Sequence, residues 1–203
     1  MIGIVDYGCG NIASVANMLK RVGLRSLTSA DPAELASTSR LILPGVGSFD
    51  HGMSQLRMRG LDAFLRDQAA VGTPVLGICL GIQLLAEGSE EGDAPGLGLV
   101  DGFVRHLAEQ KRMSLPIPHV GWNEVSFRPG NTFYAPDGLQ RFYFTHSYQF
   151  IVAQDATCVA TTRYGTEVTA AVARSNVAGV QFHPEKSHRY GMALLAAFGG
   201  DHG

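Results

Sequence analysis

Residues 74–85, PVLGICLGIQLL, place Cys79 between two glycines at the junction of two apolar segments. The first segment predicts a short buried strand and the second predicts a helix. A G-x-C-x-G corner between a strand and a helix is the nucleophile-elbow pattern with cysteine in place of serine. The helix N-terminus would favour a thiolate there, and its free N–H groups could bind an oxyanion. The alternative is that Cys79 is a small buried side chain and that the glycines only serve packing.

A histidine and a carboxylate follow another apolar run later in the chain, in GVQFHPEKS (179–187). Pro184 disfavours helix at His183, and an extended segment would point His183 and Glu185 to the same side. A carboxylate beside an imidazole orients it and stabilises the imidazolium, which completes a set of nucleophile, base and orienting group. The alternative is an ordinary turn with a solvated glutamate. The other histidines are expected at the surface, in hydrogen-bonded core positions or, for His202, in a tail: His51, His106, His119, His146, His188 and His202.

Strands and helices alternate in the first part of the chain. The apolar patterns and stop signals predict strands at 2–5, 24–28, 40–45 and 74–78 and helices at 12–22, 31–36 and 60–72. Such alternation predicts a parallel sheet with helices on both faces. The two motifs would then meet, because ligands bind at the carboxyl ends of parallel strands.

The second half is rich in predicted strands separated by turn residues. These segments are LVDGFVRHL (99–107), HVGWNEVSF (119–127), RFYFTHSYQFIV (141–152), TCVATTRYG (157–165), EVTAAVAR (167–174) and VAGVQF (177–182). Their close spacing predicts antiparallel hairpins. A final helix is expected at about 187–198.

Two further features belong to the same predicted sheet edge. The glycines of LPGVGSF (43–49) let the backbone approach a ligand and could supply a second oxyanion donor, unless the segment is a flexible tight turn. Gln83 lies four residues after Cys79 and would share its helix face, unless it faces solvent.

Composition limits the classes of protein. The 203 residues are 45% hydrophobic without a linker or block of charge, so we expect a single domain over residues 1–203. A net charge of −2, spread along the chain, indicates neither nucleic-acid nor membrane binding. The N-terminus lacks the features of a signal peptide, which favours the cytoplasm. Cys9, Cys79 and Cys158 have no C-x-x-C spacing and predict reduced thiols rather than disulfides or a metal site.

The motifs resemble those of the class I glutamine amidotransferases. GICLGIQLL (77–85), HPEKS (183–187) and LPGVG (43–47) carry the resemblance to the whole class. DYGCGNI (6–12), PGVGSF (44–49), PHVGWNEV (118–125) and YFTHSY (143–148) are similar to the glutaminase subunits of imidazole glycerol phosphate synthase. The resemblance implies a flavodoxin- or Rossmann-like three-layer α/β sandwich, with a mostly parallel central sheet and an antiparallel, β-rich C-terminal half.

The resemblance also implies residue roles, with no cofactor and no metal. Cys79 would attack the side-chain amide of L-glutamine, His183 would move protons, and Glu185 would orient His183. The backbone N–H groups of Val46 and Leu80 would form the oxyanion hole, in which the PGVG peptide can be flipped until a partner activates it. The residues expected to hold the substrate are Gly47, Gln83, Glu91, Ser147 and Tyr148.

The implied partner is a (β/α)8-barrel cyclase, which receives ammonia and makes imidazole glycerol phosphate in histidine biosynthesis. The residues matched to that interface are Trp122, Asn123, Tyr143 and Lys186. Trp122 could instead be a core aromatic residue. Cys9, where relatives often have Met or Pro, is expected to pack in the interior.

Three other interpretations stay open at the level of sequence. GCGNIA (8–13) with Asp31 matches a dinucleotide-binding fingerprint, although that function would leave the triad without a role. A non-catalytic subunit could use the scaffold only to bind a barrel partner, but binding does not require a thiol at a helix N-terminus. A related glutaminase could supply a different acceptor, which HVGWNEV disfavours.

Overall fold

The computed structural model describes residues 1–109 and 115–200, and His202 therefore lies outside the described residues. The helices of this part of the chain are α1 (Ile12–Arg21), α2 (Pro32–Leu35), α3 (Phe49–Met58), α4 (Leu61–Ala70), α5 (Leu80–Leu84) and α6 (His188–Gly199). Its strands are β1 (Ile2–Val5), β2 (Ser26–Ser29), β3 (Arg40–Gly45), β4 (Val75–Cys79), β5 (Gly88–Ser89), β6 (Gly102–His106), β7 (His119–Phe127), β8 (Gln140–His146), β9 (Tyr148–Val152), β10 (Cys158–Tyr164), β11 (Thr166–Arg174) and β12 (Val177–Val180).

A mixed sheet forms the centre of the molecule. In the described residues it has nine strands in the order β2-β1-β3-β4-β12-β11-β10-β7-β8. Strands β2, β1, β3, β4 and β12 run parallel, and each later neighbour pairs antiparallel. Strand β12 joins the two halves, since it pairs parallel with β4 and antiparallel with β11.

Helices cover both faces of the parallel half, which gives three layers. Successive side chains of β3 pack on opposite faces of the sheet. Leu41 and Leu43 pack in one apolar cluster with α3 and α4, whereas Ile42 packs in the other with α1 and α6. Side chains of a strand point to opposite faces in turn, so one buried strand serves both layers. This architecture confirms the predicted fold class.

Two sequence predictions of local structure are wrong. No helix was predicted at residues 49–58, where α3 lies, because Gly52 interrupts the helical pattern of this segment. A Cβ on Gly52 would lie 3.2 Å from Leu80 and Leu84, so the glycine permits α3 to pack closely on α5. The segment 141–152, predicted as one strand, divides at Ser147 into β8 and β9, which belong to different sheets.

A second, smaller sheet lies beside the first. In the described residues it comprises β5, β6 and β9, with β6 antiparallel to β9. The closely spaced strands predicted as hairpins do pair antiparallel in β7–β8, β10–β11 and β11–β12. Among the described helices, none combines the length and apolar character needed to cross a bilayer.

Candidate active site

Cys79 occupies a strained corner at the end of β4. Its φ of 56° and ψ of −107° lie in a region that non-glycine residues rarely adopt. The flanking glycines are needed for space: a Cβ on Gly77 would lie 2.6 Å from the backbone of Gly81, and a Cβ on Gly81 would overlap Leu43 O. The elbow therefore has the predicted position, and Cys79 itself takes the positive φ.

His183 follows β12, the strand next to β4. Its N–H donates to Tyr143 O at 2.9 Å, which ties it to β8. Pro184 then begins a 3₁₀ turn at Pro184–Lys186, so the chain is extended at His183 but not at Glu185. The turn still brings Glu185 Oε1 to 2.7 Å from His183 Nδ1, and each side chain is 1% exposed. The alternative of a solvated glutamate is therefore wrong.

The electrostatic surroundings of His183 favour its charged form. Burial lowers its pKa, but hydrogen bonding and charge interactions with Cys79 and Glu185 outweigh burial and raise it to about 9. Nε2 is buried and makes no hydrogen bond of standard geometry within the described residues, and the Cys79 thiol donates to Thr145 O at 4.0 Å.

A cavity of about 280 Å³ opens at this corner. It brings together Cys79 and His183, while Glu185 lies behind the imidazole. The other lining residues include every position predicted for the oxyanion hole and for substrate binding: Val46, Gly47, Leu80, Gln83, Glu91, Ser147 and Tyr148. An apolar-walled cleft with a nucleophile, a base and converging polar groups can bind a small molecule and transfer an acyl group.

Comparisons with known proteins agree with this geometry. The model of the "Glutamine amidotransferase class-I" family matches residues 4–199. The "Imidazole glycerol phosphate synthase subunit HisH" of Symbiobacterium thermophilum is 48% identical over 98% of this chain and 92% of its own length. The "Imidazole glycerol phosphate synthase subunit HisH 2" of Pseudomonas aeruginosa is 46% identical over 98% of both chains. The chain belongs to the HisH family of class I glutamine amidotransferases.

Solved structures share the fold of this HisH-family chain at lower identity. A structure described as a glutamine amidotransferase has a TM-score of 0.72 at 21% identity and covers 97% of this chain and 98% of its own. PurLQS from Thermotoga maritima has a TM-score of 0.72 at 19% identity and covers 97% of this chain and 96% of its own. Family membership confirms the resemblance and the enzyme class that the motifs indicated.

The polar side chains of the HisH-family cavity are held by hydrogen bonds. Gln83 is 5% exposed, so the solvent-facing alternative is wrong. Its Nε2 donates to Tyr148 O at 3.3 Å and to Gln181 Oε1 at 3.1 Å. Glu91 Oε2 accepts from Phe49 N at 2.9 Å, at the beginning of α3.

Three of the residues matched to the partner interface form a surface cluster. Trp122 is 40% exposed and stacks on His188 with ring centroids 5.5 Å apart. Lys186 Nζ lies 5.7 Å above the ring of Tyr143, whose edge meets Trp122. Asn123 is the next residue on β7, so its side chain lies on the opposite face of the strand. The core alternative for Trp122 is wrong.

The remaining cysteines and the dinucleotide fingerprint have structural roles. Cys9 is buried in the core, and burial raises the pKa of its thiol and of the Cys158 thiol. Asp31, which a bound dinucleotide would require, instead caps α2 by accepting from Ala33 N at 2.9 Å. Gly10 approaches the backbone of Pro44, where a Cβ would lie 3.0 Å from its carbonyl oxygen.

A buried histidine pair adjoins the cavity, and one of its members, His146, lines it. His119 and His146 face each other across β7 and β8, and their ring nitrogens Nδ1 and Nε2 are 3.0 Å apart. Burial lowers the pKa of His119 to about 4, and burial together with the neighbouring His119 and His183 lowers that of His146 to about 3. The sequence predicted hydrogen-bonded core positions among these histidines, but only strand register reveals the pair.

Proposed function

We propose that this chain is the glutaminase subunit of imidazole glycerol phosphate synthase, which hydrolyses L-glutamine to glutamate and ammonia. The observation that carries the proposal is the buried line from Cys79 through His183 to Glu185, with the 2.7 Å contact between His183 Nδ1 and Glu185 Oε1. Nucleophile, base and orienting carboxylate are the three groups that acyl transfer by a thiol requires. Family membership supports the choice of glutamine as substrate.

In the first half-reaction, the Cys79 thiolate attacks the side-chain amide carbon of glutamine and forms a tetrahedral oxyanion. His183, held as an imidazolium at neutral pH, gives its Nε2 proton to the leaving nitrogen, and ammonia departs as the C–N bond breaks. A thioester on Cys79 remains. Neutral His183 then takes a proton from water, which attacks the thioester and releases glutamate.

Two backbone N–H groups would stabilise the oxyanion in both steps. Leu80 is the first residue of α5, where helix N–H groups lack partners within the helix. Val46 borders the cavity from the loop after β3. Gly47 follows with a φ of 111°, so this loop has the backbone freedom to present or withdraw an N–H group. We assign these two residues to the oxyanion hole.

The remaining cavity residues suit the amino-acid end of the substrate. Glu91 supplies a carboxylate for the ammonium group of glutamine, and one of its oxygens is already fixed by Phe49 N. Gln83, Gly47, Ser147 and Tyr148 line the rest of the cleft. Their arrangement favours a short polar substrate over a nucleotide.

The family's subunit name implies a partner subunit, and we assign that partner as a (β/α)8-barrel cyclase. In this scheme ammonia passes into the barrel, where the cyclase makes imidazole glycerol phosphate and AICAR for histidine biosynthesis. Trp122, Tyr143 and Lys186 offer an exposed aromatic and cationic surface of the kind that protein interfaces use. Asn123, the fourth residue matched to this interface, neighbours Trp122 on β7, but its side chain lies on the opposite face of the strand. We place the chain as one domain over residues 1–203, in the cytoplasm, with which its three free thiols are consistent.

The test is glutamate release from glutamine by the purified chain, alone and with a cyclase partner and its ligand. We expect low activity alone, higher activity in the liganded complex, and none in Cys79→Ala. Cys9→Ala is the matched control, because Cys9 is a buried thiol outside the cavity lining. An inactive wild-type chain in a confirmed complex with an active cyclase would show that this scaffold serves only binding.

A further inference from the structure

A line of hydrogen bonds connects strand β7 to the substrate end of the cavity. Asn123 Nδ2 lies 3.3 Å from His119 Nε2, and His119 Nδ1 lies 3.0 Å from His146 Nε2. His146 Nδ1 lies 2.7 Å from Tyr148 O, which also accepts from Gln83. The proposed mechanism assigns no function to Asn123, His119 or His146 in this line.

The proton positions along the line follow from its Tyr148 end. A carbonyl oxygen only accepts, so His146 Nδ1 carries the proton and donates to Tyr148 O. His146 is neutral at physiological pH because burial lowers its pKa, and its Nε2 must therefore accept. His119 Nδ1 supplies that proton, which leaves His119 Nε2 as an acceptor.

The Asn123 end sets the same direction independently. Asn123 Oδ1 accepts from Glu124 N at 2.8 Å, and Nδ2 donates to Arg163 O at 2.9 Å. The amide orientation is thus fixed by the backbone, and Nδ2 is the atom that faces His119 Nε2. Because Asn123 Nδ2 is a donor, His119 Nε2 must be an acceptor, which is the same assignment that the Tyr148 end of the line requires.

Packing holds the two imidazole rings in this arrangement. His119 stacks between Phe144 and Tyr164, with ring centroids 4.6 and 4.0 Å away. His119 and His146 are 2% and 6% exposed, so water does not readily replace a lost partner. If His119 and His146 only filled space, neither ring would need a fixed tautomer.

We propose that Asn123, His119 and His146 are positioning residues, which form a relay of fixed polarity that holds the Tyr148 carbonyl and with it the glutamine-binding segment Ser147–Tyr148. Because Trp122 lies on the other face of the same strand, the relay also couples the position of β7 at the proposed partner surface to the substrate cleft. This coupling rests on the proposed function. The fixed polarity does not.

The test compares two variants of His119. His119→Phe keeps an aromatic ring between Phe144 and Tyr164 but removes both hydrogen bonds. His119→Asn loses the stacking but keeps an N–H donor at the δ position for His146 Nε2. Ser126→Ala, at an exposed position of β7, is the matched control.

Imidazole ¹⁵N spectra and backbone spectra of the chain at pH 7 give the first readout. We expect both rings of the wild type in the neutral Nδ1–H form. His119→Phe should move the Ser147 and Tyr148 backbone signals, and His119→Asn should move them far less. Either ring in the Nε2–H or cationic form, or equal shifts in the two variants, overturns the relay.

Steady-state glutamine hydrolysis in the complex gives the second readout. We expect His119→Phe to raise KM for glutamine by about tenfold with kcat nearly unchanged, since a buried partner is left unpaired, whereas His119→Asn stays close to wild type. Equal KM values for all variants overturn the coupling. An inactive wild-type enzyme refutes the proposed function instead, and the spectra still decide the relay. If His119→Phe fails to fold, the wild-type tautomers and His119→Asn decide it.

Discussion

Acid should destabilise the folded chain through the buried pair His119 and His146. The pKa of each ring is lowered in the fold, to about 4 and about 3, from an ordinary value of 6.5. The unfolded chain therefore binds more protons at intermediate pH. Stability from keeping the rings neutral is fully present above pH 6.5 and is lost as the pH falls toward the folded pKa values.

The size of this effect follows from the two shifts. At pH 5 the contribution of each ring to the free energy of unfolding is lower by about 2 kcal/mol. The reason is that this pH lies about 1.5 units below the ordinary pKa and still above both folded pKa values. The pair together then costs about 4 kcal/mol relative to pH 8. His183 acts in the opposite direction: because its pKa is raised from 6.5 to about 9, its contribution is fully present at pH 5 and declines as the pH rises from 6.5 through 9.

Urea denaturation followed by circular dichroism at pH 5, 6, 7 and 8 measures the effect. We expect the free energy of unfolding to fall below pH 6.5, and His119→Phe to reduce that fall by about 2 kcal/mol. His51→Phe, at an exposed position of α3, is the control and should keep the full pH dependence. An identical slope in His119→Phe and the wild type would mean that this ring does not stay neutral in the fold.

Three further results are expected. Glu185→Gln keeps the side-chain size beside His183 but removes the charge, so kcat for glutamine hydrolysis should fall by about 10³-fold in steady-state assays. Gly81→Ala places a Cβ on Leu43 O and should cost about 3 kcal/mol in the free energy of unfolding, measured by urea titration. Trp122→Ala removes an exposed ring from the proposed interface and should weaken cyclase binding by about tenfold or more in calorimetry.

Two of these variants, Gly81→Ala and Trp122→Ala, have a matched comparison. Gly98 has a φ of 65° and open space where a Cβ would lie, so Gly98→Ala should cost only about 1 kcal/mol. Leu139 is another exposed apolar residue, and Leu139→Ala should leave cyclase affinity unchanged. Full activity of Glu185→Gln with normal folding would remove the carboxylate from the mechanism.

The local motifs were readable from sequence because neighbouring residues determine them. The elbow at Cys79 and the H-P-E turn each lie within a few residues, and their apolar flanks predict the strands that bring them together. Helix α3 was not predicted because Gly52 interrupts the helical pattern of apolar residues. This glycine permits close packing of α3 on α5. The propensity of residues 141–152 for strand is continuous, and only long-range pairing reveals the break at Ser147.

The histidine relay could not be predicted from the sequence for a different reason. His119 and His146 meet only because β7 and β8 pair in one register, which places them opposite each other. Each histidine alone fits a surface or core position equally well. Their proton positions depend on Asn123 and Tyr148, so the pattern emerges only when three separate contacts are combined.

The position of β12 has a consequence for the order in which the protein is made. This strand follows all the other described strands in sequence, yet it fills the middle of the sheet beside β4. A nascent chain that ends before residue 177 thus has a bare β4 edge, which invites pairing with other chains. It also carries Cys79 without His183. In the proposed mechanism, the Cys79 thiol of the nascent chain would lack its base until β12 places His183, and a chaperone that shields β4 would protect the chain during that interval.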